Sequence, residues 1–243
     1  MFRISSSTVD ELATTFTTLT GCRVSPFMAL AALLWAHVNR ARSPLLAPSA
    51  IASSTMVTVV DLRTRLGPPF TDLGYIGNCV LSAKPTCQVS KDSPAHPLTA
   101  DVIAPLAAKV SHSIRSFTRP VIESRLATIV SSTTSPPMTD CEGLTFANGL
   151  DIYITDWRRI GINNEWDIPG TSSSKPAVVR RACWKGEGGI VVLPRRAEGD
   201  EDWEVMISLE DGELKAFAEE IRGGGWLVGE MEKEVEGLGR AKL

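Results

Sequence analysis

The stretch VTVVDLRTRLGPPFTDLGYIGNCV, residues 57–80, decides the fold. Its valines form a short apolar, β-branched run, which favours a buried strand. Asp61, Arg63 and Arg65 follow at once, and ions that leave an apolar strand must be either exposed or paired. Gly67-Pro68-Pro69 then predicts a loop, because proline fixes φ and lacks a donor. A second apolar run begins at Cys79 and predicts another strand.

Composition bounds the class of protein. The chain has 243 residues, 43% of them hydrophobic, and a formal net charge of -3, which gives no general attraction to nucleic acid or to an anionic membrane. Its five cysteines form no C-x-x-C pair and have no histidine at zinc spacing, so we expect reduced thiols and no metal site. The first residues lack the apolar core of a signal peptide. The longest apolar run, Phe27 to Ala36, is too short to span a membrane. These features predict a soluble, cytoplasmic protein with neither a nucleic acid nor a membrane as partner.

Helices are predicted before and after the central stretch. Ser25-Pro26 is typical of a helix start, and apolar residues from Phe27 to Val38 recur at helical spacing, so this helix should face inward. His37 lies at the flank of that stripe, where a hydrogen bond to a backbone group is commoner than catalysis. Residues 82–97 contain many turn formers and predict an exposed loop, followed by helices around Val102–Ile114 and Val121–Ile129.

The last third of the chain favours strands. After a Ser/Thr/Pro-rich loop at residues 131–137, strands are predicted in four apolar stretches, of which the third is hydrophobic enough for the middle of a sheet: Leu150–Ile154, Ala177–Trp184, Gly189–Leu193 and Trp203–Leu209. A helix through Leu214–Ile221 follows. We therefore expect a domain over residues 1–221 and a charged, Gly-rich tail over residues 222–243, either a loose end or a short surface helix.

Several motifs in this order resemble a known family. D-x-R, the R-x-G-P-P loop and Y-I-G-N all occur in the central stretch, and further matches are Ser25–Phe27, Leu30–Trp35, Arg40–Arg42, Thr155–Trp157 and Ile190–Arg195. Together they resemble the BAHD acyl-CoA-dependent acyltransferases, in particular fungal members related to trichothecene acetyltransferases. Each match alone is weak, whereas their order covers most of the chain up to about residue 220.

The resemblance implies a fold and an activity. It implies a mixed α/β sheet flanked by helices, like the second domain of the two-domain chloramphenicol acetyltransferase-like architecture. The implied reaction transfers an acyl group from acyl-CoA, a co-substrate and not a bound cofactor, to an alcohol or amine of a small molecule such as a secondary metabolite. Relatives carry an F-x-I-like strand in mid-protein, so this sequence, with Phe2 and Ile4 at its start, corresponds to their second half.

The resemblance also assigns site residues. Trp157 corresponds to a Trp whose indole N–H, a donor only, helps to hold the oxyanion, and Thr155 would line the pocket. An aromatic residue that merely closes a core strand is the alternative. Asp167 falls where the family has its D-F-G-W-G motif, although Ile168 and Pro169 depart from it. It would pair with Arg63 as a structural ion pair; the alternative is that both are exposed.

The family's catalytic base, the histidine of H-x-x-x-D, has no counterpart in this sequence. The residues four positions after His37, His96 and His112 are Ala41, Ala100 and Ser116. Three interpretations stay open: a truncated acyltransferase whose base lies in a missing N-terminal half, a non-catalytic relative that binds acyl-CoA or a partner chain, and an enzyme with a relocated base at His37. A half-molecule would expose an apolar patch, which predicts poor solubility or self-association.

Overall fold

The computed structural model describes residues 1–47, 50–72, 74–91, 98–131, 143–147, 149–161, 165–170, 174, 179, 188–194, 201–226 and 229–230. The strands are β1 (Phe2–Ile4), β2 (Ile51–Asp61), β3 (Val80–Ala83), β4 (Thr86–Ser90), β5 (Ile152–Asp156), β6 (Gly189–Val192), β7 (Trp203–Ser208) and β8 (Gly229–Glu230). The helices are α1 (Ser6–Thr20), α2 (Pro26–Arg42), α3 (Arg63–Leu66), α4 (Ala100–Arg115), α5 (Arg119–Ser131) and α6 (Asp211–Gly223), with a 3-10 turn at Ser43–Leu45.

The described strands form one mixed sheet. Its order is β3-β2-β5-β6-β7-β1-β8, and β4 also pairs with β2. Strands β2, β5 and β6 are parallel, while the other pairings are antiparallel. The carboxyl ends of the three parallel strands therefore meet at one edge of the sheet, the place where open α/β sheets bind ligands. The predicted mixed α/β architecture is confirmed.

Helices α1, α2, α4 and α6 cover one face of the sheet and share its main core. Alternate strand residues point into this core, among them Ile152 and Ile154 of β5 and Ile190 and Val192 of β6. Strand β6 is buried along its whole length between β5 and β7, as its continuous apolar sequence predicts. Helix α5 packs through Ile122 on a smaller cluster beside β3. The sheet is thus backed by helices.

Helix α2 is the central helix of the core. Ser25 caps it by accepting a hydrogen bond from the Met28 amide at 3.3 Å, and Pro26 is its first residue. Almost every side chain from Ala29 to Arg42 is buried, so the helix is enclosed on more sides than the predicted single stripe requires. Its many alanines allow α1, α4 and α6 to approach closely.

The predicted exposed loop at residues 82–97 is wrong in part. Thr86–Ser90 is strand β4, and it pairs with the first half of β2, which begins at Ile51, earlier than the valine run suggests. Both segments contain many polar residues, so their composition resembles that of a loop. Residues 92–97, residues 132–137 of the loop predicted at 131–137, and most of the predicted strand at 177–184 lie outside the described residues. Ser131 is the last residue of α5.

The tail from residue 222 is not entirely separate from the sheet. Helix α6 ends at Gly223, and Gly229–Glu230 pair with Phe2 and Arg3 of β1. Residues 231–243 lie outside the described part of the chain. No helix among the described residues is long and apolar enough to cross a membrane.

Candidate active site

Thr155 and Trp157 lie at the carboxyl end of β5, in the middle of the parallel strands. Their side chains alternate with Ile154 and Asp156, so both point away from the helix core. We call this second face of the sheet the outer face; it carries Thr155, Trp157, Val191, Leu193 and Met206. Strand β5 therefore presents both predicted site residues on one surface.

Trp157 is held by contacts to β6 and β7. Its amide donates to the Val192 carbonyl at 2.9 Å, which continues the parallel ladder by one residue. Its side chain is half-buried and packs against the cluster of Val191, Leu193 and Met206. Among the described residues, none accepts a hydrogen bond from the indole N–H.

The surroundings of Thr155 are apolar. Thr155 is half-buried and pairs in register with Val191. Continuing the β2–β5 register by one residue places Val59 beside Thr155, and the Val59 side chain is 53% exposed. Two residues earlier on β5, the Tyr153 ring lies over Gly189, so closely that a Cβ on that glycine would collide with the ring. The outer face thus combines an apolar floor with two hydroxyls and an indole.

Asp156 and Arg158 occupy the other side of the same strand end. Arg158 donates from Nε to Asp156 Oδ1 at 3.0 Å and from Nη2 to Oδ2 at 2.8 Å, while its backbone amide donates to Oδ1 at 2.9 Å. The guanidinium carbon lies 3.2 Å from the centre of the Trp203 ring. The Arg158 side chain is only 19% exposed.

A cavity of about 520 Å³ opens on this side of the sheet. It lies where α1 and α2 begin, next to the end of β5. Its walls mix aromatic, hydroxyl and charged groups of both signs: Ser6, Asp10, Ser25, Pro26, Phe27, Asp156, Arg158, Arg159, Glu201 and Trp203. The cavity and the outer face therefore flank the same strand end.

The predicted ion pair between Arg63 and Asp167 is not formed in this structure. Arg63 instead donates to Asp61 Oδ1 at 3.1 Å and to the Gly77 carbonyl at 2.9 Å, and its guanidinium lies 5.8 Å from the Tyr75 ring centre. Asp167 is exposed. The physical reason is proximity: Asp61, two residues away, satisfies the arginine within one turn, so no distant carboxylate is required.

His37 is enclosed in the core and does not reach the site surfaces. It is 1% exposed, its Nδ1 lies 2.7 Å from the Leu33 carbonyl, and its ring meets Phe217 edge-on. Burial lowers the pKa of His37 from 6.5 to about 4. The local backbone hydrogen bond predicted for it is confirmed. His112 is exposed, and His96 lies outside the described residues.

The arrangement around Asp156 was not predicted from the sequence. A signal for it exists, because Asp-x-Arg occurs at the end of β2 (residues 61–63) and again at the end of β5 (residues 156–158). In both turns the arginine amide donates to Oδ1 of the aspartate, at 3.0 and 2.9 Å. Within the described residues, no group of three or more His, Cys, Asp or Glu side chains could hold a metal ion.

Comparison with known proteins gives the same architecture. Trichothecene 8-O-acetyltransferase of Fusarium sporotrichioides is 28% identical over 228 residues, covering 85% of this chain and 45% of that protein. Putrescine hydroxycinnamoyltransferase 1 of Oryza sativa subsp. japonica is 27% identical over 204 residues, covering 81% and 42%. The structure of F. sporotrichioides TRI101 complexed with coenzyme A and T-2 matches with a TM-score of 0.64 and 22% identity, covering 89% of this chain and 47% of that one. Vinorine synthase matches with a TM-score of 0.56 and 14% identity, covering 93% and 46%.

This chain spans less than half the length of these relatives. The solved structures confirm the predicted chloramphenicol acetyltransferase-like fold. A family model described as the Transferase family matches residues 1–223. Because that match covers most of the sequence, the chain belongs to the Transferase family, the BAHD-type acyl-CoA-dependent acyltransferases.

Proposed function

We propose that this chain is the part of an acyl-CoA-dependent acyltransferase that holds the oxyanion, and that its reaction moves an acyl group from acyl-CoA to an alcohol or amine of a small molecule. The observation that carries the proposal is the position of Thr155 and Trp157, side by side on the outer face at the carboxyl edge of the parallel strands. The relative named trichothecene 8-O-acetyltransferase supports an alcohol of a secondary metabolite as the acceptor, and the relative named putrescine hydroxycinnamoyltransferase 1 supports an amine.

In this reaction the acceptor oxygen or nitrogen attacks the thioester carbonyl carbon. A C–O or C–N bond forms, negative charge develops on the carbonyl oxygen, and the C–S bond then breaks to release coenzyme A. The acceptor's proton leaves through a base and reaches the sulfur. Trp157 is the proposed donor to the developing oxyanion, because its indole can only donate and is half-buried in an apolar setting that strengthens the hydrogen bond. Thr155 is proposed to line the pocket for the reacting groups.

The cavity beside Asp156 is the proposed position for part of coenzyme A. Phe27 and Trp203 offer apolar surface in it, and Arg159 offers an exposed cation for a phosphate. A thioester that leaves this cavity past the end of β5 would arrive on the side of Trp157. No metal or bound cofactor is proposed for the reaction.

The general base is proposed to come from outside this chain's sequence. No histidine here is followed by aspartate at the fourth position. His37 is a poor replacement, because its buried ring bonds to Leu33 and packs on Phe217, away from any surface that an acceptor could reach. We infer that H-x-x-x-D lies in an N-terminal half. The relatives are long enough to contain such a half, since this chain covers less than half of each.

A second candidate is a non-catalytic relative that binds acyl-CoA or a partner chain. The absence of H-x-x-x-D from the sequence favours it. It differs from the first proposal only in whether the base exists elsewhere. Sequencing the transcript upstream of Met1 distinguishes the two. An in-frame H-x-x-x-D upstream of Met1 supports the first, and an in-frame stop codon with no coding sequence between it and Met1 supports the second.

Calorimetric titration of the purified chain with acetyl-CoA tests the site. We expect saturable binding that Arg159→Glu weakens. Arg119→Glu, which makes the same change at an exposed arginine on α5, is the control and should leave the binding unchanged. Release of free thiol, followed in the presence of simple alcohols and amines, tests turnover. Binding without turnover agrees with the proposal. No binding to the folded chain would overturn it, and turnover that His37→Ala abolishes would establish His37 as the base instead.

A further inference from the structure

We propose that Asp156 and Arg158 are positioning residues for Trp157, because their ion pair fixes the end of β5 and so holds the indole on the outer face. The inference rests on the proposed function of Trp157 as the oxyanion donor. It concerns the two residues on either side of that tryptophan, which point away from it.

Asp156 and Arg158 form an ion pair with three hydrogen bonds, which we call the clamp. Three N–H groups of Arg158 meet the two carboxylate oxygens, at 2.8, 2.9 and 3.0 Å, and one of these groups is the backbone amide. A bidentate guanidinium pair is directional as well as charged, so it fixes orientation more than a single contact does. Because the backbone amide takes part, the pair fixes the backbone immediately after Trp157.

Trp157 and Arg158 contact opposite faces of β6 and β7. Arg158 crosses the end of β6 on the helix side, and its guanidinium carbon lies 3.2 Å from the centre of the Trp203 ring of β7. Trp203 is 4% exposed. Trp157 crosses on the outer face to pack on Leu193 and Met206. The backbone amide of Trp157 donates to the Val192 carbonyl between these two contacts. A rotation of this strand end that moved the indole would therefore have to break the contact of Arg158 with Trp203.

The turn at the end of β2 shows what the same motif does without this packing. Asp61 and Arg63 form one ion-pair contact at 3.1 Å, with side chains 61% and 33% exposed, and the nearest ring centre lies 5.8 Å away. At β5 the corresponding exposures are 25% and 19%. Screening by water weakens exposed pairs, so the β5 turn is the more rigid of the two. Rigidity at that point is what an oxyanion donor requires, since its position must be set before the reaction.

The test reads the position of Trp157 directly. The chain is labelled with 5-fluorotryptophan, and the ¹⁹F resonances of Trp157 and Trp203 are assigned with Trp157→Phe and Trp203→Phe. Arg158→Lys keeps the charge but loses the bidentate fork, and Asp156→Asn keeps the shape but loses the charge. Arg119→Lys and Glu123→Gln make the same changes in an exposed pair on α5 and serve as matched controls.

We expect both clamp variants to shift or broaden the Trp157 resonance in the free protein and to lower acetyl-CoA affinity by about tenfold, while both controls leave them unchanged. A direct contact between Arg158 and coenzyme A would lower affinity but would not move Trp157 in the free protein. A Trp157 resonance that stays fixed while that of Trp203 moves would overturn the proposal. If Asp156→Asn unfolds the chain by circular dichroism, Arg158→Lys alone decides. If wild-type chain binds no acetyl-CoA and Trp157 still responds, the clamp stands and the proposed function falls.

Discussion

Arg42 and Glu213 form an ion pair inside the core, with Nε 3.1 Å from Oε2 and side-chain exposures of 0% and 7%. Arg42 lies in the last turn of α2 and Glu213 in the first turn of α6, so each charge also has the favourable sign for its own helix end. Arg42 donates from Nη1 to the Asp151 carbonyl at 3.1 Å as well. The pair therefore joins two helices to the amino end of β5, opposite the candidate site.

Removing one member of this pair should be costly. Glu213→Ala leaves the Arg42 guanidinium buried without a counter-charge, and we expect the free energy of unfolding to fall by about 3–5 kcal/mol. Urea denaturation followed by circular dichroism measures it. Glu123→Ala, which breaks the exposed pair with Arg119, should cost less than about 1 kcal/mol. Equal losses in the two variants would show that the buried pair has no special role.

His37 predicts a dependence of stability on pH. Burial lowers its pKa from 6.5 to about 4, so between these values the unfolded chain binds a proton that the folded chain does not. The stability that this histidine contributes is complete above about pH 6.5 and is lost as the pH falls toward 4, by roughly 3 kcal/mol in all. His37→Gln should flatten that part of the pH profile of the urea midpoint. His112→Gln, at an exposed position, should not, and the same slope in both variants would contradict the assignment.

The outcome for the strands shows what hydrophobic pattern can predict. Sequence patterns predicted β5, β6 and β7 from their apolar runs and α2 from its helical spacing. Burial of one face, or of all sides, of an element leaves a regular pattern of apolar residues in the sequence. Strand β4 escaped prediction because its sequence, TCQVS, is largely polar. Its pairing with Ile51–Thr55 depends on β2 being longer than its valines indicate, which only tertiary context determines.

The candidate site was predictable where a motif carries the chemistry. Thr155 and Trp157 were placed on the same strand end by resemblance, and alternation along β5 then puts them on the same face. Their roles stay predictions. The pairing of Arg63 was wrong because a near carboxylate, Asp61, competes with a distant one, and sequence order does not rank the two. Asp156 was overlooked although its turn repeats that of Asp61.

Gly189 should be intolerant of a side chain. The Tyr153 ring lies over it on the outer face, so Gly189→Ala forces the ring aside and should lower the free energy of unfolding by about 1–3 kcal/mol. Gly212→Ala is the matched control, because nothing lies within 4 Å of the position that its Cβ would take and alanine favours the first turn of α6. Urea denaturation compares them. Tyr153→Val should rescue Gly189→Ala in the double variant, and a simple addition of the two losses would argue against the steric explanation.

Val59 should control self-association through the outer face. Its side chain is 53% exposed beside Thr155, and burial of an exposed apolar side chain against a second chain is favourable. We expect sedimentation velocity to show a concentration-dependent increase in mass, and Val59→Lys to reduce it because a charge in that contact would have to be desolvated. Val130→Lys adds the same charge at an 84% exposed position at the end of α5 and should leave the association unchanged. A wild-type chain that stays monomeric at every concentration, or an equal response to both lysines, would exclude the outer face as the contact.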